Sequence, residues 1–268
     1  MFLNSVQCIR NVENCLRSME IDNIYLGDCL ELMKDIPDKS IDCIICDLPY
    51  GVTDCKWDSV IPFEPLWEQY KRIRKDNAAI ILFGSEPFSS YLRMSNIKEF
   101  RYDWIWIKER GTGFARANKQ PMRRNENISV FYQQQPYYDS KGEKLDKPYR
   151  HALPIYKSNS DSVANKNLVN GERVYAEYKY KHKDNILTFA RDPKGMHPTQ
   201  KPVELIRYLI RTYTNEGDLV LDNCIGSGTT AIAAIKEKRH YIGMELNKEY
   251  FDIAEDRIKK ELSNPSLF

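Results

Sequence analysis

The residues that most constrain this chain lie near its C-terminal end. In Leu219-Val-Leu-Asp-Asn-Cys-Ile-Gly-Ser-Gly-Thr-Thr230 an apolar run ends at Asp222, Gly226 and Gly228 make a turn, and Thr229 opens a stretch of helical period. A second apolar run closes on Glu245. Strand, glycine turn, helix and a strand ending in a carboxylate make a nucleotide-binding half. Glycines let a ligand approach the backbone, and the carboxylate can accept hydrogen bonds from ribose hydroxyls. No Gly-Lys-Ser/Thr follows the turn, which excludes a P-loop. A nicotinamide-binding domain normally begins with this unit, whereas 23 residues follow Glu245 here. The sheet is therefore expected to be completed by strands from the N-terminal half.

That half supplies candidates. Apolar runs at 24–26, 43–47, 78–84, 102–108 and 128–132 alternate with amphipathic stretches at 62–74 and 86–94. Val6, Ile9, Leu16 and Met19 suggest a short N-terminal helix. The rhythm predicts an α/β fold with a mostly parallel sheet. It fails between residues 133 and 194, which read as a loop-rich insert. It resumes with a helix at 202–213 opened by a proline, a strand at 219–224, a helix at 229–238, a strand at 241–246 and a helix at 248–262. The expected organisation is one domain in two halves, 1–132 and 195–268, around the insert 133–194.

Composition narrows the class. With 42% apolar and 29% charged residues in 268, the chain can bury a core, which excludes disorder as its theme. The longest apolar run, 78–83, falls far short of the roughly 20 residues of a membrane helix, and the N-terminus has no apolar signal core. A cytoplasmic protein with no membrane partner is expected. Seven cysteines, an odd number, point to reduced thiols. Cys43-x-x-Cys46 spans a strand, which sends the two side chains to opposite faces, so buried thiols are expected there and no metal. Overall charge is nearly balanced, yet residues 101–211 hold 22 basic against 12 acidic residues. Such a local excess is either a solvated face or the footprint of a phosphate-backbone partner.

Asp47-Leu48-Pro49-Tyr50 places a carboxylate, a carbonyl and an aromatic ring at the carboxyl end of a buried strand, the edge where open α/β sheets bind ligands. Pro49 has no N–H and a fixed backbone, so the Leu48 carbonyl can be held outward. Two acceptors beside a flat ring suit an amino group on a planar base. Taken alone, the same residues make an ordinary turn after a strand.

The order Asp-Leu-Pro-Tyr, basic insert, His-Pro-Thr-Gln-Lys-Pro, Gly-Ser-Gly resembles the beta group of amino-group DNA methyltransferases, in particular adenine-specific members of bacteria and prophages. The resemblance spans about 24–258 and is weakest in the insert. It implies a Rossmann-like methyltransferase fold with permuted motif order, S-adenosylmethionine as cofactor, double-stranded DNA as substrate and the insert as target-recognition region. It further implies that Asp47 and the Leu48 carbonyl accept hydrogen bonds from the adenine amino group while Tyr50 stacks on the flipped base. Asp28, with Cys29 beside it, would meet the cofactor's adenine. Glu245, next to Leu246, would hold its ribose. The turn from Asp222 through Gly226, Gly228, Thr229 and Thr230 would hold the methionine portion, and His197, Thr199, Gln200 and Lys201 would complete its carboxylate pocket. The family more often has proline where Leu48 stands, and its cytosine-specific members usually carry serine in place of Asp47.

Arg110, Arg116, Lys119, Arg123 and Arg124 surround Gly111-Thr-Gly-Phe114 and suit phosphate contacts. A cognate restriction endonuclease is a further expected partner, and the chain is expected as a monomer or homodimer. Three alternatives remain at this stage: a cytosine amino-group (N4) methyltransferase, a catalytically inactive DNA-binding regulator, and a nicotinamide oxidoreductase. The regulator needs no Asp47-Leu-Pro-Tyr50, and the oxidoreductase needs no insert.

Overall fold

The computed structural model describes residues 19–51, 59–152, 168–169, 172–173, 175–190 and 200–263. The helix expected around Val6, Ile9 and Leu16 lies outside these residues, as do His197 and Thr199. In chain order the N-terminal half contributes β1 (Asn23–Leu26), α1 (Cys29–Leu32), β2 (Ile41–Cys46), α2 (Phe63–Ile73), β3 (Arg74–Gly84), α3 (Phe88–Ser95), β4 (Phe100–Thr112) and β5 (Arg123–Phe131). Then come β6 (Lys141–Ala152), β7 (Leu168–Val169), β8 (Glu172–Arg173), β9 (Tyr175–His182) and β10 (Ile186–Thr188). The C-terminal part is α4 (Val203–Tyr213), β11 (Leu219–Asp222), α5 (Thr229–Lys236), β12 (His240–Glu245) and α6 (Lys248–Leu262).

Eight strands form one sheet in the order β1-β12-β11-β2-β3-β5-β4-β10. All neighbours pair parallel except β5, which runs against both β3 and β4. The N-terminal β1 pairs with β12, so strands from both ends of the chain complete one sheet. From β2 the chain moves to β3 on one side, and from β11 to β12 on the other. The crevice between the carboxyl ends of β2 and β11 is thus a topological switch point, where such sheets bind ligands.

Helices cover both faces. Leu205, Ile206, Leu209 and Ile210 of α4, Ala231 and Ala234 of α5, and Ala254 and Ile258 of α6 pack on one face. Leu66, Trp67, Tyr70 and Ile73, the apolar stripe of α2, pack with Phe88 and Leu92 of α3 on the other. Cys43 belongs to the first core and Cys46 to the second, each buried on its own face of β2. Among the described residues no helix is long and apolar enough to cross a membrane.

Three departures from the expected elements have identifiable causes. β3 begins at Arg74, ahead of the apolar run: Arg74 pairs with Ile41, and a register shift then separates this pair from Cys43–Ala79; the buried Arg74 guanidinium pairs with Glu99 at 2.7 Å. The stretch read as loop contains β10, a three-residue strand parallel to β4 whose Leu187 is buried, too short to show a period. Asp139–Asp184 forms a compact unit of its own, in which β6 and β9 pair antiparallel. Residues on both faces of this ribbon are exposed, so no apolar alternation marks it. Tyr149 stacks on Tyr178 at 5.3 Å, and Lys141 and Arg150 lie over the rings of Tyr180 and Tyr175, both at 5.8 Å.

Candidate active site

A cavity of about 350 Å³ opens at the carboxyl ends of β2, β11 and β12, a size suited to a small organic cofactor. Its lining includes Asp28 and Cys29, Asp47 to Tyr50, Gln200 and Lys201, Asp222, Gly226, Thr229 and Thr230, and Glu245 and Leu246. Residues predicted from separate parts of the chain therefore share one space.

On the β11 side, the glycine turn is fixed by buried carboxylates. Glu245 accepts from the Gly226 N–H at 2.9 Å and the Asn247 N–H at 2.7 Å, and burial holds its carboxyl above the ordinary value. Asp222 accepts from the Thr230 hydroxyl at 2.5 Å and the Cys224 N–H at 3.1 Å. Asp28 caps α1, accepting from Leu30 N–H at 2.8 Å and Glu31 N–H at 3.4 Å.

The two glycines of the turn differ. Gly226 sits at φ +55, and a side chain there would meet no protein atom within 4 Å. Gly228, expected beside the ligand, is absent from the cavity lining: at φ +83 its missing Cβ would lie 3.1 Å from the Ala254 Cβ of α6. Spacing alone could not tell a glycine that admits a ligand from one that admits a helix. Arg257, on α6 and not singled out from sequence, donates to the Ser227 carbonyl at 2.5 Å and its hydroxyl at 2.8 Å, tying the turn down.

Burial pushes Asp222 from its ordinary 3.8 up to about 7. The folded state then holds this proton more tightly than the unfolded chain, so the group's contribution to stability is full below about pH 4 and is lost as pH rises towards 7. Asp222→Asn is expected to gain stability relative to the wild type as pH is raised from 4 to 8, while losing affinity for a cationic ligand. Thermal melts across that range check it, and a constant difference in melting temperature would contradict the assignment.

On the β2 side stands a cluster of charges. Asp47 accepts from the Tyr50 hydroxyl at 2.5 Å through Oδ1 and from the Lys201 ammonium through Oδ2. Lys201 also lies 3.4 Å from Glu126 Oε2, and Lys108 pairs with Glu126 Oε1. The Tyr50 ring packs on Phe88, centroids 5.0 Å apart. Burial opposes the charge on Lys201, but Asp47 and Glu126 outweigh it and hold the ammonium above its ordinary range. Burial likewise opposes ionisation of Glu126, and Lys201 and Lys108 outweigh that, lowering it. Tyr50 is held well above its usual value by burial and by Asp47, so it remains a donor.

Lys201, expected to receive the cofactor's carboxylate, thus faces two carboxylates of the protein instead. Glu126 and Lys108 were not predicted as site residues. They come from β5 and β4, and only the antiparallel pairing of these strands sets them beside β2. A charged pair inside apolar strand patterns was the one available signal.

The predicted phosphate-contacting residues lie elsewhere in the same unit. Arg110 lies two residues before the end of β4, Arg123 and Arg124 begin β5, and Lys119 is in the connection; all four are exposed. Arg116 closes a short 3-10 turn, Phe114–Arg116. Phe114 beside it is 83% exposed. This hairpin connection leaves the sheet at the carboxyl end of β4, the same edge that carries Asp47.

A doubly wound sheet with a carboxylate-lined glycine turn and an acceptor motif at its switch point defines a Rossmann-like methyltransferase. Residues 41–256 match the DNA methylase family model, N6_N4_Mtase, and the chain belongs to that family. It is 28% identical over 260 residues to the type II methyltransferase M1.MboII of Moraxella bovis, covering 88% of this chain and 96% of that one. It is 27% identical over 261 residues to the DNA adenine methyltransferase YhdJ of Escherichia coli K12, covering 89% and 83%. Among solved structures, the M1.HpyAVI complex with S-adenosylmethionine superposes with a TM-score of 0.58 at 22% identity, covering 88% and 98%. The cytosine-N4-specific PvuII DNA methyltransferase gives 0.62 at 16% identity, covering 91% and 92%. The protein is a DNA amino-group methyltransferase, and its cofactor is S-adenosylmethionine.

The cavity fits that cofactor on its own chemistry. It offers carboxylates at Asp222 and Glu245 whose negative charge burial opposes and a bound cationic group would favour, and a backbone at Gly226 open to close approach.

Proposed function

We propose that the methyl acceptor is the exocyclic amino group of adenine in double-stranded DNA. The observation that carries this reading is Asp47 at the end of β2, beside the Leu48 carbonyl and the Tyr50 ring, on the wall of the cofactor cavity. Serine usually stands at that position in the cytosine-specific members that the motif order resembles. Incubation of the protein with labelled S-adenosylmethionine and DNA, followed by nucleoside analysis, tests it. N6-methyladenine is expected; N4-methylcytosine would overturn the choice of base, and absence of transfer would favour a binding role.

The chain's own residues account for the remaining requirements. An aromatic amine is a poor nucleophile because its lone pair is delocalised into the ring. Asp47 and the Leu48 carbonyl, accepting its two hydrogens, draw the nitrogen towards the pyramidal geometry that frees that pair. S-adenosylmethionine, when bound there, would supply a methyl group on a positively charged sulfur, which would keep the electron pair of the broken S–C bond and leave as a neutral thioether. As the N–C bond forms, positive charge develops on nitrogen, and the Asp47 carboxylate stabilises it until a proton leaves to water. Tyr50, backed by Phe88, offers the stacking face for a base taken out of the duplex. In this reading Asp28 and Cys29 hold the cofactor's adenine, Glu245 and Leu246 its ribose, and Asp222, Gly226, Thr229 and Thr230 its methionine amine. His197, Thr199 and Gln200 hold the carboxylate.

Residues 133–194 act as the target-recognition region in this reading, with the tyrosines and cations of the β6–β9 ribbon as its contact groups. Arg110, Arg116, Lys119, Arg123 and Arg124 hold phosphates. The type II names of the relatives favour a cognate restriction endonuclease and a cytoplasmic setting. Neutralising Arg123 and Arg124 together is expected to shallow the dependence of log affinity on log salt by about 0.9 per lost phosphate contact. Binding isotherms at several salt concentrations measure this, and an unaltered slope would move the contacts elsewhere.

A further inference from the structure

We propose that Glu126 is a second seat for the Lys201 ammonium, which stands on Asp47 until the target amino group displaces it. The inference rests on the amino-methylation reading and concerns what must happen before the base is held. Both oxygens of Asp47 are engaged, one by the Tyr50 hydroxyl and one by Lys201. An incoming amino hydrogen needs one of them. Lys201 is only 7% exposed, so the displaced ammonium cannot simply turn into water, and a buried charge left without a partner costs several kcal/mol.

Glu126 resolves this. Its Oε2 is buried and, among the described residues, makes no hydrogen bond, while the Lys201 Nζ lies 3.4 Å away. Its other oxygen is held by Lys108, which fixes the carboxylate. The rings of Phe83 and Tyr50 flank the ammonium at 5.2 and 5.9 Å, so the cation stays over aromatic faces as it crosses. The shift leaves the charge of the cluster unchanged: Glu126 then holds both Lys108 and Lys201, while Asp47 takes the hydrogens of the amine. Glu126 acts through Lys201 and is a positioning residue. Lys201 thus occupies the place of the target amine in the unloaded site and yields it on base entry.

Steady-state transfer from tritiated S-adenosylmethionine to unmethylated plasmid DNA tests this, with cofactor affinity measured by calorimetry. Glu126→Gln is expected to raise the KM for DNA about tenfold, the cost of one charge-assisted hydrogen bond, with cofactor affinity unchanged. Glu126→Asp, which keeps the charge but withdraws it, should raise KM less, and it carries the test if melting shows that the glutamine variant does not fold. Adding Lys201→Met to Glu126→Gln should reverse most of the rise, because the competitor for Asp47 has gone. An unchanged KM in the glutamate variants, or defects that simply multiply in the double variant, would overturn the proposal. If the wild type transfers no methyl group to DNA, the amino-methylation reading falls and this one with it; normal wild-type transfer with an unmoved KM sinks this one alone.

Discussion

Asp47→Ala is expected to abolish methyl transfer while leaving DNA binding intact. Removing one preorganised electrostatic contact typically costs ~10² to 10³ in rate. The loss here should be at least that large, because the same carboxylate shapes the amine, stabilises the charge that develops on it and accepts from Tyr50 at 2.5 Å. The glycine turn, Glu245 and the basic hairpin are untouched by the change. Lys201 keeps Glu126 as a partner, which limits the damage to the fold. Labelled-methyl transfer measured beside gel-shift binding separates the two effects, and Asp47→Asn, of equal size, controls for packing. Transfer at the wild-type rate in either variant would remove Asp47 from the chemistry.

The second large effect divides the two glycines. Gly226→Val is expected to weaken cofactor binding severely with a modest loss of stability, because its side chain extends from the cavity wall into space that no protein atom fills. Gly228→Ala is expected to do the reverse. Both substitutions force an L residue to positive φ, at roughly 1–2 kcal/mol, but at Gly228 the new methyl also meets Ala254 Cβ at 3.1 Å and Cα at 3.2 Å. Calorimetry with S-adenosylmethionine and thermal melts on both variants check the division. Equal losses of cofactor affinity would mean that the whole turn, and not Gly226, faces the ligand.

The contrast between these glycines shows where a reading of the chain stops. Gly226-Ser-Gly228 is recognisable as a ligand turn because glycines between an apolar run and a helical period are a local pattern. Which of them faces the ligand depends on α6, whose Ala254 lies 26 positions further along and packs back onto the turn. Likewise Asp47 stood out because Pro49 and Tyr50 follow it at the end of an apolar strand. That Lys201 pairs with Asp47, and that Glu126 stands behind Lys201, did not, since these residues come from distant parts of the chain.

What the amino-acid order determined by itself is the set of elements with a strong local period, their α/β class and the two motifs that end β2 and follow β11. Apolar spacing and glycine content act over a few residues, so they survive without knowledge of the rest. Tertiary structure alone decided the reversed direction of β5, the addition of β10 to the sheet and the pairing of β6 with β9. It also decided that Lys201 meets Asp47 and Glu126. Each of these is a contact between segments far apart in sequence, where energy depends on burial and charge in three dimensions and leaves no periodic trace along the chain.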